Sequence, residues 1–169
     1  AVCGVDEAGR GPLAGPVCAA AGILPEHWEL PGLNDSKKLS DARRRALYPQ
    51  IITQALAYGI AFASEAEIDE VNILQATFLV MRRAVAQLKL QPDFALVDGN
   101  RDPQLALPTQ TVIGGDGKSA SIAAASILAK VSRDDYMLEM DQKYPEYGFA
   151  VHKGYGTRRH YDALRTYGP

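Results

Sequence analysis

The chain has 169 residues and a mass of 18.3 kDa. With 47% hydrophobic and 22% charged residues it has the size of one domain and the apolar content for a core, which excludes disordered, collagen-like and fibrous classes. The formal net charge of −2 hides an uneven distribution: residues 64–70 carry Glu65, Glu67, Asp69 and Glu70 without a base, whereas residues 150–169 carry Lys153, Arg158, Arg159 and Arg165 against Asp162 alone. A mildly acidic balance of this kind does not exclude a polyanionic substrate, because bound divalent ions would offset the carboxylates.

In chain order, Val2 to Asp6 and Pro16 to Leu24 are short apolar runs separated by a glycine-rich loop, and read as adjacent antiparallel strands. Ser40 caps a helix reaching about Tyr58, which Pro49 is expected to kink or split. Tyr58 to Ala63 reads as a third strand. From Asn72 to Leu88 the residues Leu74, Phe78, Met81, Val85 and Leu88 recur at four- and three-residue steps, the mark of one buried helical face. Pro92 ends that pattern. Phe94 to Val97 is a brief strand that delivers Asp98 at its carboxyl end, before the turn residues Gly99 and Asn100. Thr109 to Ile113 is another, running into Gly114, Gly115 and Gly117. A long helix follows from about Ser119 into the Tyr136 region, and its start, SASIAAASILA, is small enough to pack close against a sheet. Thr157 caps a last helix ending near Gly168. No internal repeat is present, so the expected fold class is α/β, a mixed sheet flanked by helices and closed by C-terminal helices, in a single domain over residues 1–169.

No apolar run approaches the roughly 20 residues of a bilayer span, and Ala1 enters strand-like sequence directly, so a soluble cytoplasmic protein is expected. Cys3 and Cys18 with His27, His152 and His160 are too few and too scattered for zinc, and the thiols read as reduced and structural.

Four acidic residues close apolar strands or follow them: Asp6, Glu7, Asp98 and Asp116. Carboxylates gathered at neighbouring strand ends repel one another unless cations join them, and an all-oxygen donor set suits Mg2+ or Mn2+. Two such ions make a phosphoryl-transfer site that needs no protein nucleophile. Asp98 and Asp116 taken singly also fit plain turn residues, whereas the adjacent pair Asp6-Glu7 does not. Gly9, Arg10 and Gly11 offer unhindered backbone N–H groups and one guanidinium to a phosphate or sugar hydroxyl. A dinucleotide-binding fingerprint fails at Ala14, and a P-loop around Lys118 fails at Val112, where each motif needs glycine.

Six blocks in order resemble ribonuclease HII, the type 2 ribonucleases H: DEAGRG at 6–11, LNDSKKLS at 33–40, VDGN at 97–100, Gly115-Asp116, AASILAKVSRD at 124–134 and HKGYGT at 152–157. The resemblance implies an RNase H-like fold with Asp6, Glu7, Asp98 and Asp116 as catalytic, metal-binding carboxylates, served by Mn2+ or Mg2+. It implies cleavage of the RNA strand of RNA–DNA hybrids, and 5′ of single ribonucleotides in duplex DNA, leaving 3′-OH and 5′-phosphate ends. It also implies that Gly9, Arg10 and Gly11 contact the 2′-OH and backbone. Tyr155 would pack on the neighbouring deoxyribose, where a core aromatic is the alternative. Asn34, Ser36 and Lys37 would contact the backbone with Lys118 nearby, where solvated surface groups are the alternative. Arg133-Asp134 reads as a helix ion pair, and Trp28 and the methionines as packing. A monomer acting on hybrid or ribonucleotide-containing duplex is expected, with no membrane partner. Family members usually begin earlier and continue past the last glycines into a basic His-Arg-Arg-Ser-Phe segment, whose absence after Pro169 is expected to affect affinity more than chemistry. The rival readings are a hybrid-binding module that cleaves nothing and a P-loop-like NTPase dependent on Lys118.

Overall fold

The computed structural model describes residues 1–9, 15–26, 39–149 and 158–167, with only the backbone described at residues 116, 158, 159, 161 and 162. The elements run β1 (Val2–Ala8), β2 (Val17–Ile23), α1 (Asp41–Gln54), β3 (Ala57–Ala63), α2 (Glu65–Val71), α3 (Ile73–Ala86), β4 (Phe94–Asp98), β5 (Thr109–Val112), α4 (Ala120–Lys143) and α5 (Arg158–Tyr167). Short 3-10 turns stand at Gly115–Gly117 and Pro145–Tyr147. The five strands form one sheet in the order β3-β2-β1-β4-β5. β1 runs antiparallel to β2 and β2 to β3, while β4 lies parallel to both β1 and β5. This is the expected mixed sheet flanked by helices.

Strand alternation sorts the core into two layers. Cys3, Val5, Ala19, Ala21, Ala95 and Val97 face α3, whereas Cys18 and Ala20 face α1 and α4. The two cysteines therefore lie on opposite faces of the sheet and cannot pair. Burial pushes the Cys3 thiol up to about 11 and that of Cys18 up to about 12, so both stay protonated and unreactive at neutral pH.

α4 is the central support of the second layer. Its small residues let its backbone lie directly on β1, where a Cβ at Gly4 would overlap the Ser121 carbonyl and Ile122 amide. On the other face α3 makes the same approach to an edge strand: a Cβ at Gly59 would overlap the Ala84 carbonyl. α3 also caps the free edge of β3, where Gln87 accepts from the Ile60 N–H at 3.0 Å and Arg83 donates to the Phe62 carbonyl at 3.2 Å. Filled edge groups are protected against pairing with another chain.

Several expectations are corrected in detail. α1 is capped as expected, Ser40 accepting from the Arg43 N–H at 3.1 Å, but it runs unbroken through Pro49. Proline removes one donor, and the buried Leu47 and Ile51 on either side hold both halves against α4. The helix stops at Gln54 rather than Tyr58 because Leu56 N–H donates to Ile23 O at 2.8 Å, which starts the β3 ladder. β1 extends to Ala8, so Asp6 and Glu7 lie within the strand. The acidic run after residue 64 is a helix, α2, closed by a capping box in which Ser64 and Glu67 each accept from the other's backbone N–H. In α3 the most buried line is Ala76, Thr77, Val80, Met81 and Ala84, with Phe78 and Val85 only partly buried. Met81 and Leu88 are buried as expected, Leu74, Phe78 and Val85 lie at the margin, and Ala84 stands at the close approach to Gly59. α4 continues about two turns past Tyr136, ending just before Pro145, the first breaker in its path. Asp134 pairs with Lys130 one turn earlier at 3.1 Å rather than with Arg133, since consecutive helical residues do not face each other. His27, Trp28, His152 and Thr157 lie outside the described residues.

Candidate active site

The parallel register sets Val5 beside Val97, so the next residues, Asp6 and Asp98, stand at the carboxyl ends of two adjacent central strands. Parallel strands lie about 4.8 Å apart, which forces these two carboxylates together. Both belong to the alternation set that faces α4, and Glu7, one residue on, faces α3. Asp6 is 4% exposed, whereas Glu7 and Asp98 are half-buried.

Two backbone donors tie this arrangement down. The Glu7 N–H donates to Asp6 Oδ1 at 2.8 Å, and the Gly115 N–H donates to Asp98 Oδ1 at 2.7 Å. The second bond draws the Gly115–Gly117 turn, which carries Asp116, against the end of β4. Gly114 enters that turn with φ +65°, which favours glycine, and a Cβ at Gly115 would crowd the Ile122 side chain at 2.6 Å and Asp98 Oδ1 at 3.1 Å. The side chain of Asp116 lies outside the described residues; its backbone stands one residue from the donor to Asp98.

Electrostatics follow from the crowding. Burial first, then the charges of Glu7 and Asp98, raise the Asp6 carboxyl well above the ordinary range, and it shares a side-chain hydrogen bond with Glu7. Burial and crowding thus favour the protonated form of Asp6, and a divalent ion would oppose them. Among the described residues no three His, Cys, Asp or Glu side chains are grouped as a ready-made ion cage. The donor set that does converge is all oxygen and fits a hard ion with part of its water shell retained, as Mg2+ and Mn2+ favour.

Beside the carboxylates lies a cavity of about 60 Å³, lined by Glu7 and Asp98 on the sheet, Leu74, Thr77, Phe78 and Met81 on α3, and Arg101 beyond β4. It has room for a few waters. Residues 99–101 were legible only as a turn, and Arg101 as a lining group was missed.

Of the remaining predicted site residues, Gly9 follows β1 with φ +101°, a conformation that favours glycine. Lys118 is exposed at the end of the Gly115–Gly117 turn. Arg10, Gly11, Asn34, Ser36, Lys37 and Tyr155 lie outside the described residues.

A family model described as ribonuclease HII matches residues 3–169. A relative named ribonuclease HII from Desulfitobacterium hafniense is 60% identical over 167 residues, covering 99% of this chain and 64% of that protein. Another of the same name from Verminephrobacter eiseniae is 58% identical over 167 residues, covering 99% of this chain and 80% of that one. The crystal structure of ribonuclease H2 from Pyrococcus horikoshii OT3 matches with a TM-score of 0.83 at 30% identity, covering 98% of this chain and 86% of that chain. The chain thus spans just under two thirds of the length of the Desulfitobacterium relative.

Proposed function

The chain belongs to the ribonuclease HII family, and on that footing we propose that it is a divalent-metal-dependent endonuclease acting on the RNA strand of RNA–DNA hybrids and 5′ of single ribonucleotides in duplex DNA. The observation that carries this reading is the pairing of Asp6 and Asp98 on adjacent parallel strands with Glu7 next to Asp6, whose carboxyl is raised by burial and then by the charges of the other two. A carboxylate cluster with no histidine or cysteine among it, poised to exchange protons for cations, suits phosphodiester hydrolysis.

In this reading Asp6, Glu7, Asp98 and Asp116 would hold the ions. A pair of divalent ions supplies the charge that activates water and stabilises the leaving oxygen. The water oxygen joins phosphorus as the bond from phosphorus to the 3′ oxygen breaks, leaving 3′-OH and 5′-phosphate ends. The chain's own contribution is positional: Gly115 and Glu7 amides fix one oxygen of Asp98 and of Asp6, directing the rest of each carboxylate. Gly9 is the described part of the Gly9-Arg10-Gly11 segment assigned to the 2′-OH, the group that separates RNA from DNA at one position. Tyr155 is assigned to the deoxyribose beside the ribonucleotide, and Asn34, Ser36 and Lys37 to the backbone. The chain acts as a single catalytic domain, a monomer, in the cytoplasm. Among the described residues no helix is long and apolar enough to cross a membrane.

The test is cleavage of a labelled duplex with one ribonucleotide, beside an all-DNA duplex and an RNA–DNA hybrid, with Mn2+ or Mg2+. Cutting 5′ of the ribonucleotide and along the hybrid, with the DNA intact, is expected. Binding of the hybrid without cutting under either ion would contradict the nuclease and leave a binding module.

A further inference from the structure

Arg133 and Asp134 are buried charges outside this chemistry, and Asp134 pairs with Lys130. Arg133 sits on α4 with 1% of its surface exposed, and Nε donates to the Pro16 carbonyl at 3.0 Å. The same side chain fills the space over Gly9, where a Cβ would overlap Nε and approach the Pro16 carbonyl at 2.7 Å. It also reaches Gly15, where a Cβ would stand 2.8 Å from Nη2 and 2.6 Å from Met137 Sδ. Gly9 and Gly15 have φ of +101° and +95°. A single guanidinium thus meets the chain where it leaves β1, two residues after Glu7, and again where it enters β2.

Stability alone does not account for an arginine here. Burying a guanidinium is costly, and apolar side chains of similar volume often serve a core as well or better. What arginine adds is a rigid planar fork that can hold two backbone segments in fixed relation. The two glycines complete the device, since any side chain at either would displace the fork.

We infer that Arg133 is a positioning residue that fixes the Gly9 backbone relative to Asp6 and Glu7, and so sets how tightly the ribonucleotide-bearing strand is held. This rests on the proposed cleavage of hybrids. Arg133 Nε is spent on the Pro16 carbonyl and its side chain packs over Gly9 rather than standing in the cavity beside Glu7 and Asp98, so its removal acts on substrate binding before chemistry. A displacement of about 1 Å in a binding segment is enough for a large loss.

The experiment compares wild type with Arg133→Met, which keeps bulk without the fork, and Arg133→Lys, which keeps charge without it. KM and kcat are measured on the single-ribonucleotide duplex well below each variant's melting temperature. The Kd for a labelled hybrid without divalent ions and the affinity for Mn2+ alone are measured in parallel. Arg133→Met is expected to raise KM and Kd about tenfold or more while kcat stays within about threefold and Mn2+ affinity is unchanged. Arg133→Lys is expected to fall between the two, and it carries the test if Arg133→Met fails to fold. A lower melting temperature with KM and Kd at wild-type values would overturn the positioning role and leave the cleavage reading standing. A wild-type chain that neither binds nor cuts the hybrid would overturn both.

Discussion

The two faces of the sheet use one packing device to opposite ends. α4 lies on the central strand β1 over Gly4 and is held again by Arg133 near the strand's far end, so Asp6 on that face is closed off, while Asp98 at the end of β4 still borders the cavity. α3 makes its close approach at the edge strand β3 over Gly59, and its opposite end leaves the cavity beside Glu7. Where a helix meets the sheet thus decides which carboxylates are dry. Asp6 is buried on the closed side, with its carboxyl raised above the ordinary range, while Glu7 meets water on the open one. Rigidity comes from α4 and access from α3.

The largest effect expected from breaking this arrangement is at Asp98. Asp98→Asn keeps an oxygen to accept the Gly115 N–H but removes a charge, so cleavage should fall by about a thousandfold or more with the melting temperature little changed. Steady-state rates and a thermal melt on the same preparation check both halves.

The closed face is sharpened by one rung of the sheet. Gly4 pairs with Gly22, yet a Cβ at Gly4 overlaps α4 while a Cβ at Gly22 meets nothing within 4 Å among the described residues. Gly4→Ala should cost about 1–3 kcal/mol or more by overpacking, and Gly22→Ala under about 0.5 kcal/mol. Equal costs in denaturant titrations would show that α4 is not seated as described.

The proton on Asp6 gives a pH dependence whose sign is fixed. Its folded pKa lies above the unfolded value, so its contribution to stability is present below about pH 4 and is lost as pH rises through the raised value. A bound cation reverses this by favouring the charged form. The melting temperature gained on adding Mn2+ should therefore grow from pH 4 upward, reaching the equivalent of about 3 kcal/mol at a hundredfold excess over Kd. A gain independent of pH would contradict the coupling.

The smallest effect belongs to the exposed attachment of α3. Arg83 pairs with Glu67 through two contacts of 3.2 and 2.6 Å, but both groups are well exposed to solvent. Arg83→Ala should shift the melting temperature by only about 1–4 °C and leave cleavage unchanged.

The sequence made the strands and the carboxylates legible for one reason: each acidic residue interrupts or ends an apolar run. Asp6, Glu7 and Asp98 stand where that pattern predicts. The small-residue start of α4 likewise announced close packing. What stayed hidden depends on contacts between distant segments. The bulky residues of 72–88 mark the α3 stripe, yet the close approach at Gly59 turns it towards Ala76, Val80 and Ala84, and nothing local to residues 72–88 reports that. Arg133 pairs in the sequence pattern with its neighbour Asp134, but it donates to Pro16 and packs over Gly9 and Gly15, more than a hundred residues away. The helix α2 was within reach, since Ser64 and Glu67 have capping-box spacing; the run of acids drew the reading to charge instead.

The most direct test of the account is Mn2+ titration by calorimetry of wild type and Asp98→Asn, from pH 4 to 6, in two buffers of different ionisation enthalpy. The account predicts that wild type releases protons as it binds, from the raised Asp6 carboxyl, and that Asp98→Asn binds at least about tenfold more weakly. Equal affinities with no proton release would show that Asp6 and Asp98 do not form one metal site.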